Sequence, residues 1–278
     1  MKPGGVLRSL AVLWMAVVPL SSPAGEPAAS GVVRGVVAEG ACAISGMSAE
    51  QSQLIALQKA RASAIEQATG VKVASSTLVR DGVVAVDLIR TYSRGFLIGE
   101  KVEWLPLAQY QDSPERPPIP EYRVRITADI AIPGRQGASL GLSAKLNKKT
   151  FRSGERVRVE MTVEREARFA LFNFTADDRV VMVLPHPQEK ENLVEPGKPL
   201  TLPPEGSRIE LVMETLPGHD RDVEALFVAA VDPGRDVDFR KVFGSGTPLS
   251  LTAFFERYSD IAPHADEIIL PYAVEREE

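Results

Sequence analysis

The 278-residue sequence has one cysteine, Cys42, three histidines and no excess of basic side chains. A lone thiol cannot close an internal disulfide, so the fold must be held by buried apolar surface. Cys42 lies far behind the first apolar run and follows Glu39-Gly40-Ala41, which does not fit a lipid-attachment site. It reads as a small apolar filler in a strand. His186, His219 and His264 fall in separate loops and no HExxH occurs, so neither a metal centre nor any cofactor is expected. With 32 Lys and Arg against 37 Asp and Glu, the chain has no general affinity for nucleic acid. Long hydrophobic runs are also scarce. The longest, Leu10 to Leu20, is about half of the roughly 20 residues a membrane-crossing helix needs, so no permanent membrane anchor is expected.

What that short run does resemble is the core of a secretory leader. Lys2 and Arg8 precede it, and Ser22-Pro23-Ala24 supplies small residues for cleavage after Ala24. Residues 1–24 are therefore expected to be a signal peptide, placing the mature protein in the periplasm or, alternatively, outside the cell. Without Lys2 and Arg8 the 32 basic side chains become 30 against 37 acidic ones, a formal charge of −7.

Beyond the leader the pattern is that of an α+β protein. It consists of a small α+β unit over residues 31–133, a linker at 134–138, and a mostly β, sandwich-like unit over 139–275 with one C-terminal helix. Gly31 to Ile44 reads as a strand, and Ser48 with Gln51 as a capping box opening a helix that Gly70 ends. Leu54, Leu57, Ala64, Ile65 and Ala68 give that helix its apolar stripe, with Arg61 inside it at a solvated edge. An extended run over Val71 to Val79 and a second helix over Val83 to Ser93 follow. Two longer strands come next, Phe96 to Ala108 and the cleanly alternating Tyr122 to Ile132, separated by a stiff proline-rich loop from Asp112 to Pro120.

In the second unit, strands are expected over Glu155 to Val163, Pro199 to Leu202, Arg208 to Met213, Val223 to Val231 and Glu267 to Ala273. Arg168 to Phe174 and Arg179 to Leu184 form a hairpin across Thr175-Ala-Asp-Asp. Leu251, Phe254, Phe255 and Tyr258 give a helix over Leu249 to Arg257 a face that docks onto the sandwich.

The segments KARASAIEQATG, VKVASST, YSRG and YRVRITADI, in that order, resemble the N-terminal domain of bacterial flagellar H-ring assembly proteins and related outer-membrane lipoproteins. The second half resembles a bacterial domain family of unknown function, found in secreted proteins and beside receptor-like kinases. Leu140 to Leu146, Arg152-Ser-Gly-Glu-Arg-Val, Arg168 to Phe174, Val181-Met-Val-Leu-Pro, Asn192, Glu195-Pro-Gly-Lys-Pro and Ile269-Leu-Pro-Tyr-Ala-Val carry that resemblance. Both resemblances imply an envelope protein and a module without a shared chemistry.

No catalytic constellation contradicts them. His219-Asp220 lacks an activated serine in a G-x-S-x-G elbow, and Gly244-Ser245-Gly246 lacks a phosphate cradle. The carboxylates from Glu214 to Asp238, including Asp220, Asp222, Asp232, Asp236 and Asp238, lack a calcium-loop pattern. Interleaved with Arg221, Arg235 and Arg240, they read as a solvated, self-neutralising face. The expectation is a non-enzymatic assembly or protein-interaction module with an envelope protein partner and no catalytic, cofactor or metal residues. The rival reading is a ligand-sensing or cell-wall-binding module, with Phe169, Phe172 or Phe174 lining a pocket.

Overall fold

The computed structural model describes residues 31–70, 95–134, 139–244 and 246–277. The leader, the elements expected over 71–93 and residues 135–138 of the linker lie outside them. The architecture is α+β and mostly strand.

The first unit is a four-stranded antiparallel sheet with one helix against it. Its strands are β1 (Gly31–Ala43), β2 (Phe96–Trp104), β3 (Ala108–Tyr110) and β4 (Ile119–Ile132), and its helix is α1 (Ala49–Thr69). β4 is central, with β1 on one side and β2 and β3 on the other. Its alternation buries Val124, Ile126, Ala128 and Ile130 on the face α1 covers. The capping box forms as the sequence requires: Gln51 N–H donates to the Ser48 hydroxyl at 3.2 Å, and Ser48 N–H to Gln51 Oε1 at 3.1 Å. Gly70 closes the helix at a φ of 68°, a left-handed conformation that glycine adopts without strain.

The buried face of α1 differs from the leucine stripe expected. Ala56, Ala60, Ala64 and Ile65 are fully buried, whereas Leu54 and Leu57 are only half-buried. The reason lies opposite. A Cβ at Gly40 of β1 would stand 2.0 Å from the Ala56 carbonyl oxygen and 2.6 Å from the Ala60 nitrogen, so helix and strand touch backbone to backbone. Only small side chains fit on the helix at that approach.

The second unit is a sandwich. Its main sheet runs β15 (Leu249–Ser250), β10 (Arg179–Leu184), β9 (Ala167–Phe174), β14 (Arg221–Val231), β16 (Ala265–Glu275) and β6 (Thr150–Arg152), with β11 (Leu193–Val194) also on β9. Facing it are β12 (Leu200–Leu202), β8 (Val159–Thr162) and β5 (Ser143–Leu146), and the pair β13 (Val212–Met213) and β7 (Glu155–Arg156). The long strand expected over Glu155 to Val163 is thus broken into β7 and β8. Only the last two residues of Arg208 to Met213 are strand. Val159, Met161, Phe169, Leu171, Leu226, Val228 and Tyr272 meet in the core between the layers.

Two helices cover the other face of the main sheet: α2 (Phe239–Phe243), which the sequence did not signal, and α3 (Leu251–Tyr258). Asp238 and Ser250 cap them through side-chain oxygens. Leu251, Phe254, Phe255 and Tyr258 of α3 are buried as the spacing predicts, but they face more than the sandwich. Phe96 of β2 stacks on Phe255 at 5.4 Å and meets Tyr258 edge-on at 5.6 Å. A single core therefore runs from Ile65 and Ile130 of the first unit, through Phe96, to Phe172, Phe227 and Phe254 of the second.

Candidate functional site

Four places concentrate polar or exposed chemistry, and the first is the junction of the two units. Arg61 of α1 is 4% exposed, which corrects its expected solvated edge position. Its Nε donates to Glu100 Oε2 at 2.9 Å and its Nη2 to Oε1 at 2.5 Å. Nη1 reaches Asp178 Oδ2 at 2.5 Å, and the Thr252 hydroxyl donates to Glu100 Oε1 at 3.0 Å. One guanidinium thus ties α1 and β2 of the first unit to the β9–β10 turn and α3 of the second, using the fixed fork that lysine lacks. Asp178 holds a φ of 68°, as turn aspartates tolerate. Burial pushes its carboxyl above the usual range; Arg61 opposes that shift, and the charges of Glu100 and Asp177 add to it.

The second place is inside the sandwich. Glu224 of β14 is 4% exposed and shares its Oε2 with Tyr272 Oη at 2.5 Å and Asn173 Nδ2 at 2.9 Å. Asp222, two residues earlier, is equally buried. Its Oδ2 accepts from Leu216 N–H at 2.5 Å and its Oδ1 lies 2.6 Å from His219 Nδ1. The self-neutralising face expected here is therefore not formed as a unit. Asp222 and Glu224 lie on the side of β14 that also presents Leu226 and Val228 to the core. Asp232 pairs with Arg165 of another segment, and Asp238 caps α2.

His219 pairs with Asp222, not with the adjacent Asp220, and no hydroxyl or thiol of the described residues hydrogen-bonds to it. Its contact orders the loop ahead of β14 and does not complete a nucleophilic triad. His186 accepts from Gln188 N–H at 3.3 Å within its own turn, and His264 ends a short 3₁₀ segment. Among the described residues no group of three His, Cys, Asp or Glu is placed to hold a metal ion. Phe169, Phe172 and Phe174 are 1–3% exposed and pack into the two cores.

The third place is a cleft of about 590 Å³ at the end of the first sheet, between the end of β1 and the β3–β4 loop. Ala41 and Ala43 leave room on its β1 side, Met47, Tyr110 and Ile119 give apolar walls, and Lys59, Arg116, Asp112 and Glu121 bring charge of both signs. Lys59 Nζ donates to the Ala41 carbonyl at 3.0 Å, while Arg116 pairs with Asp112. Cys42 borders the cleft but is 5% exposed, and burial pushes its thiol up, which keeps it in the inert protonated form.

The fourth place is apolar surface. Of the large hydrophobic residues left exposed among the described residues, Val32, Val33, Val37, Val102, Trp104, Leu107 and Tyr110 all belong to the first unit, against Leu193 and Val212 in the second. Val102 and Trp104 alternate with Lys101 and Glu103 on β2, which pairs with β4 alone, so its other edge has no partner strand among the described residues.

The sequence did single out Arg61 but took the exposed reading of it. Glu224 and Asp222 had a usable signal, since their even positions continue into Leu226 and Val228 on one face of a strand.

The geometry defines a class, an α+β protein in which a helix-backed sheet and a β-sandwich share a core and an internal ion cluster. Within it, residues 150–224, from β6 to the start of β14, match a family described as a domain of unknown function, DUF4384. That match supports the family resemblance seen in the second half of the sequence. It gives no support to the resemblance of residues 31–133 to flagellar H-ring assembly proteins. No curated protein matches the chain. Among the described residues no helix is long and apolar enough to cross a membrane.

Proposed function

We propose that this is a non-catalytic protein-interaction module of the bacterial envelope, exported to the periplasm, and that its first unit makes the contact. The observation that carries the reading is the crowding of exposed apolar side chains on that unit, with Val102 and Trp104 on a strand whose outer edge pairs with no strand among the described residues. A partner segment adding to β2 would gain main-chain hydrogen bonds from the edge and selectivity from the alternating Val102 and Trp104. The secretory leader expected over residues 1–24 supports that compartment.

The test is co-purification of partners from envelope extracts by the full-length tagged chain and by Trp104→Glu. The expected result is a reproducible partner whose recovery falls at least about ten-fold in the variant, whose melting temperature stays within about 2 °C of the parent because the site is at the surface. No reproducible partner, or undiminished recovery with Trp104→Glu, would overturn the reading.

The cleft favours a second reading, a sensor for a small ligand. Its charges of both signs suit a zwitterion such as a free peptide, with an ammonium on Glu121 and a carboxylate on Lys59. Soluble peptide fragments of the cell wall should raise the melting midpoint by mass action, and Lys59→Met with Glu121→Gln should abolish the rise. A midpoint that does not move with any fragment at millimolar concentration removes this reading.

A further inference from the structure

Three strands of the main sheet bring Glu224, Asn173 and Tyr272 into a closed triangle whose hydrogen count decides a charge state. Tyr272 Oη lies 2.5 Å from Glu224 Oε2 and 2.8 Å from Asn173 Oδ1, and Asn173 Nδ2 lies 2.9 Å from the same Glu224 Oε2. Three contacts need three hydrogens. With Glu224 ionised, the tyrosine has one to give and the amide supplies one, so one pair of oxygens must face each other bare. Turning the amide over does not help, because Asn173 Oδ1 would then meet the carboxylate oxygen without a hydrogen. One added proton satisfies the whole ring: Glu224 O–H donates to Tyr272 Oη, Tyr272 O–H to Asn173 Oδ1, and Asn173 N–H back to Glu224.

We propose that Glu224 is a proton-binding site, its carboxyl neutral in the folded chain because the ring it closes with Tyr272 and Asn173 needs its hydrogen. Burial is the main force pushing this carboxyl up and the like charge of Asp222 on the same strand adds to it, while hydrogen bonds from Tyr272, Asn173 and the Ala176 N–H oppose the shift without reversing it. From β16 the group facing it is Tyr272, whose own hydroxyl is pushed well above its ordinary value by burial and by Glu224, so it stays a donor. From β9 and its turn come Asn173 and the Ala176 N–H, which donates to Glu224 Oε1 at 3.3 Å. His219 sits against Asp222 and not against Glu224. Phe151 of β6 closes the far side with its ring 5.9 Å from that of Tyr272.

The proton has a structural consequence at the junction. Ala176 belongs to the same turn as Asp178, which Arg61 grips from the first unit. Ionising Glu224 breaks the ring that joins β9, β14 and β16 beside that turn. Because the folded chain holds a proton the unfolded chain has released, the stability it contributes is complete below the ordinary glutamate range. It is lost as pH rises through the raised value.

Infrared spectroscopy of the full chain tests this at about pH 6, where ordinary carboxyls are almost wholly ionised. A protonated-carboxyl C=O band should appear in the wild type and vanish in Glu224→Gln, while Asp178→Asn leaves it in place. Glu224→Gln should also flatten the decline of the melting temperature as pH rises above the ordinary glutamate range. Absence of the band from the wild type, a measurement that needs no variant to fold, overturns the proposal. So does its persistence in Glu224→Gln. Partner recovery plays no part in either readout, so the result is independent of the function proposed above.

Discussion

Replacing Arg61 by alanine is expected to lower the unfolding free energy by about 3–5 kcal/mol, the usual cost of stranding buried charge by removing its partner. Two carboxylates are stranded here. Glu100 keeps only the Thr252 hydroxyl among the partners described above, and Asp178 is left facing the repulsion of Glu100 and Asp177. Lysine at the same position should recover only part of the loss, because one ammonium cannot grip Glu100 with two nitrogens while reaching Asp178.

Because the core is shared, Trp104 fluorescence, which reports on the first unit, and far-UV circular dichroism, dominated by the sandwich, should follow one coincident urea transition. The variant should shift both together. A wild type that melts in two separate steps, or a variant that disturbs only the Trp104 signal, would show that the ion cluster does not couple the units. The deficit should also shrink in acid, since burial raises the Asp178 carboxyl and its protonation removes a charge that Arg61 neutralises.

The second large effect is expected at Gly40. A single added methyl would stand 2.0 Å from the Ala56 carbonyl oxygen, and backbone cannot swing aside as a flexible side chain can. Gly40→Ala must push α1 off the sheet and loosen Ala56, Ala60 and the packing of Ile65 behind them. A loss of about 3 kcal/mol, the upper end for overpacking, is expected in chemical denaturation, and Gly40→Val should leave little soluble protein. An alanine variant with an unchanged midpoint would mean the close approach of β1 and α1 is not maintained in solution. Gly35, at a φ of 67° in the β1 bulge but with open space around it, provides the contrast: its cost is conformational, so alanine there should cost clearly less.

Local features were legible wherever one stretch of sequence contains its own explanation. The Ser48–Gln51 capping box, the Gly70 stop, the alternation of β4 and the hairpin across Thr175 to Asp178 each form at the expected residues. Features that need a distant partner were not. Arg61 looks like a solvated edge residue until Glu100, 39 residues away, and Asp178, 117 away, converge on it. Phe169, Phe172 and Phe174 look available for a ligand until β14, α2 and α3 close over them. His219 and Asp222 are three residues apart, yet only the loop's path makes them a pair in preference to His219 and Asp220.

The sequence by itself determined the α+β class, the order of most described strands, the caps of α1 and the β-rich character of its second half. These follow from periodicity, turn chemistry and capping, which act over a few residues. Tertiary structure alone decided that the two units share a core, that Arg61 is a buried clamp, that Glu224 closes a hydrogen-bonded ring and that the exposed apolar surface gathers on the first unit. Each of these depends on which faces meet across long separations, and burial sets both the cost of a charge and the identity of its partner.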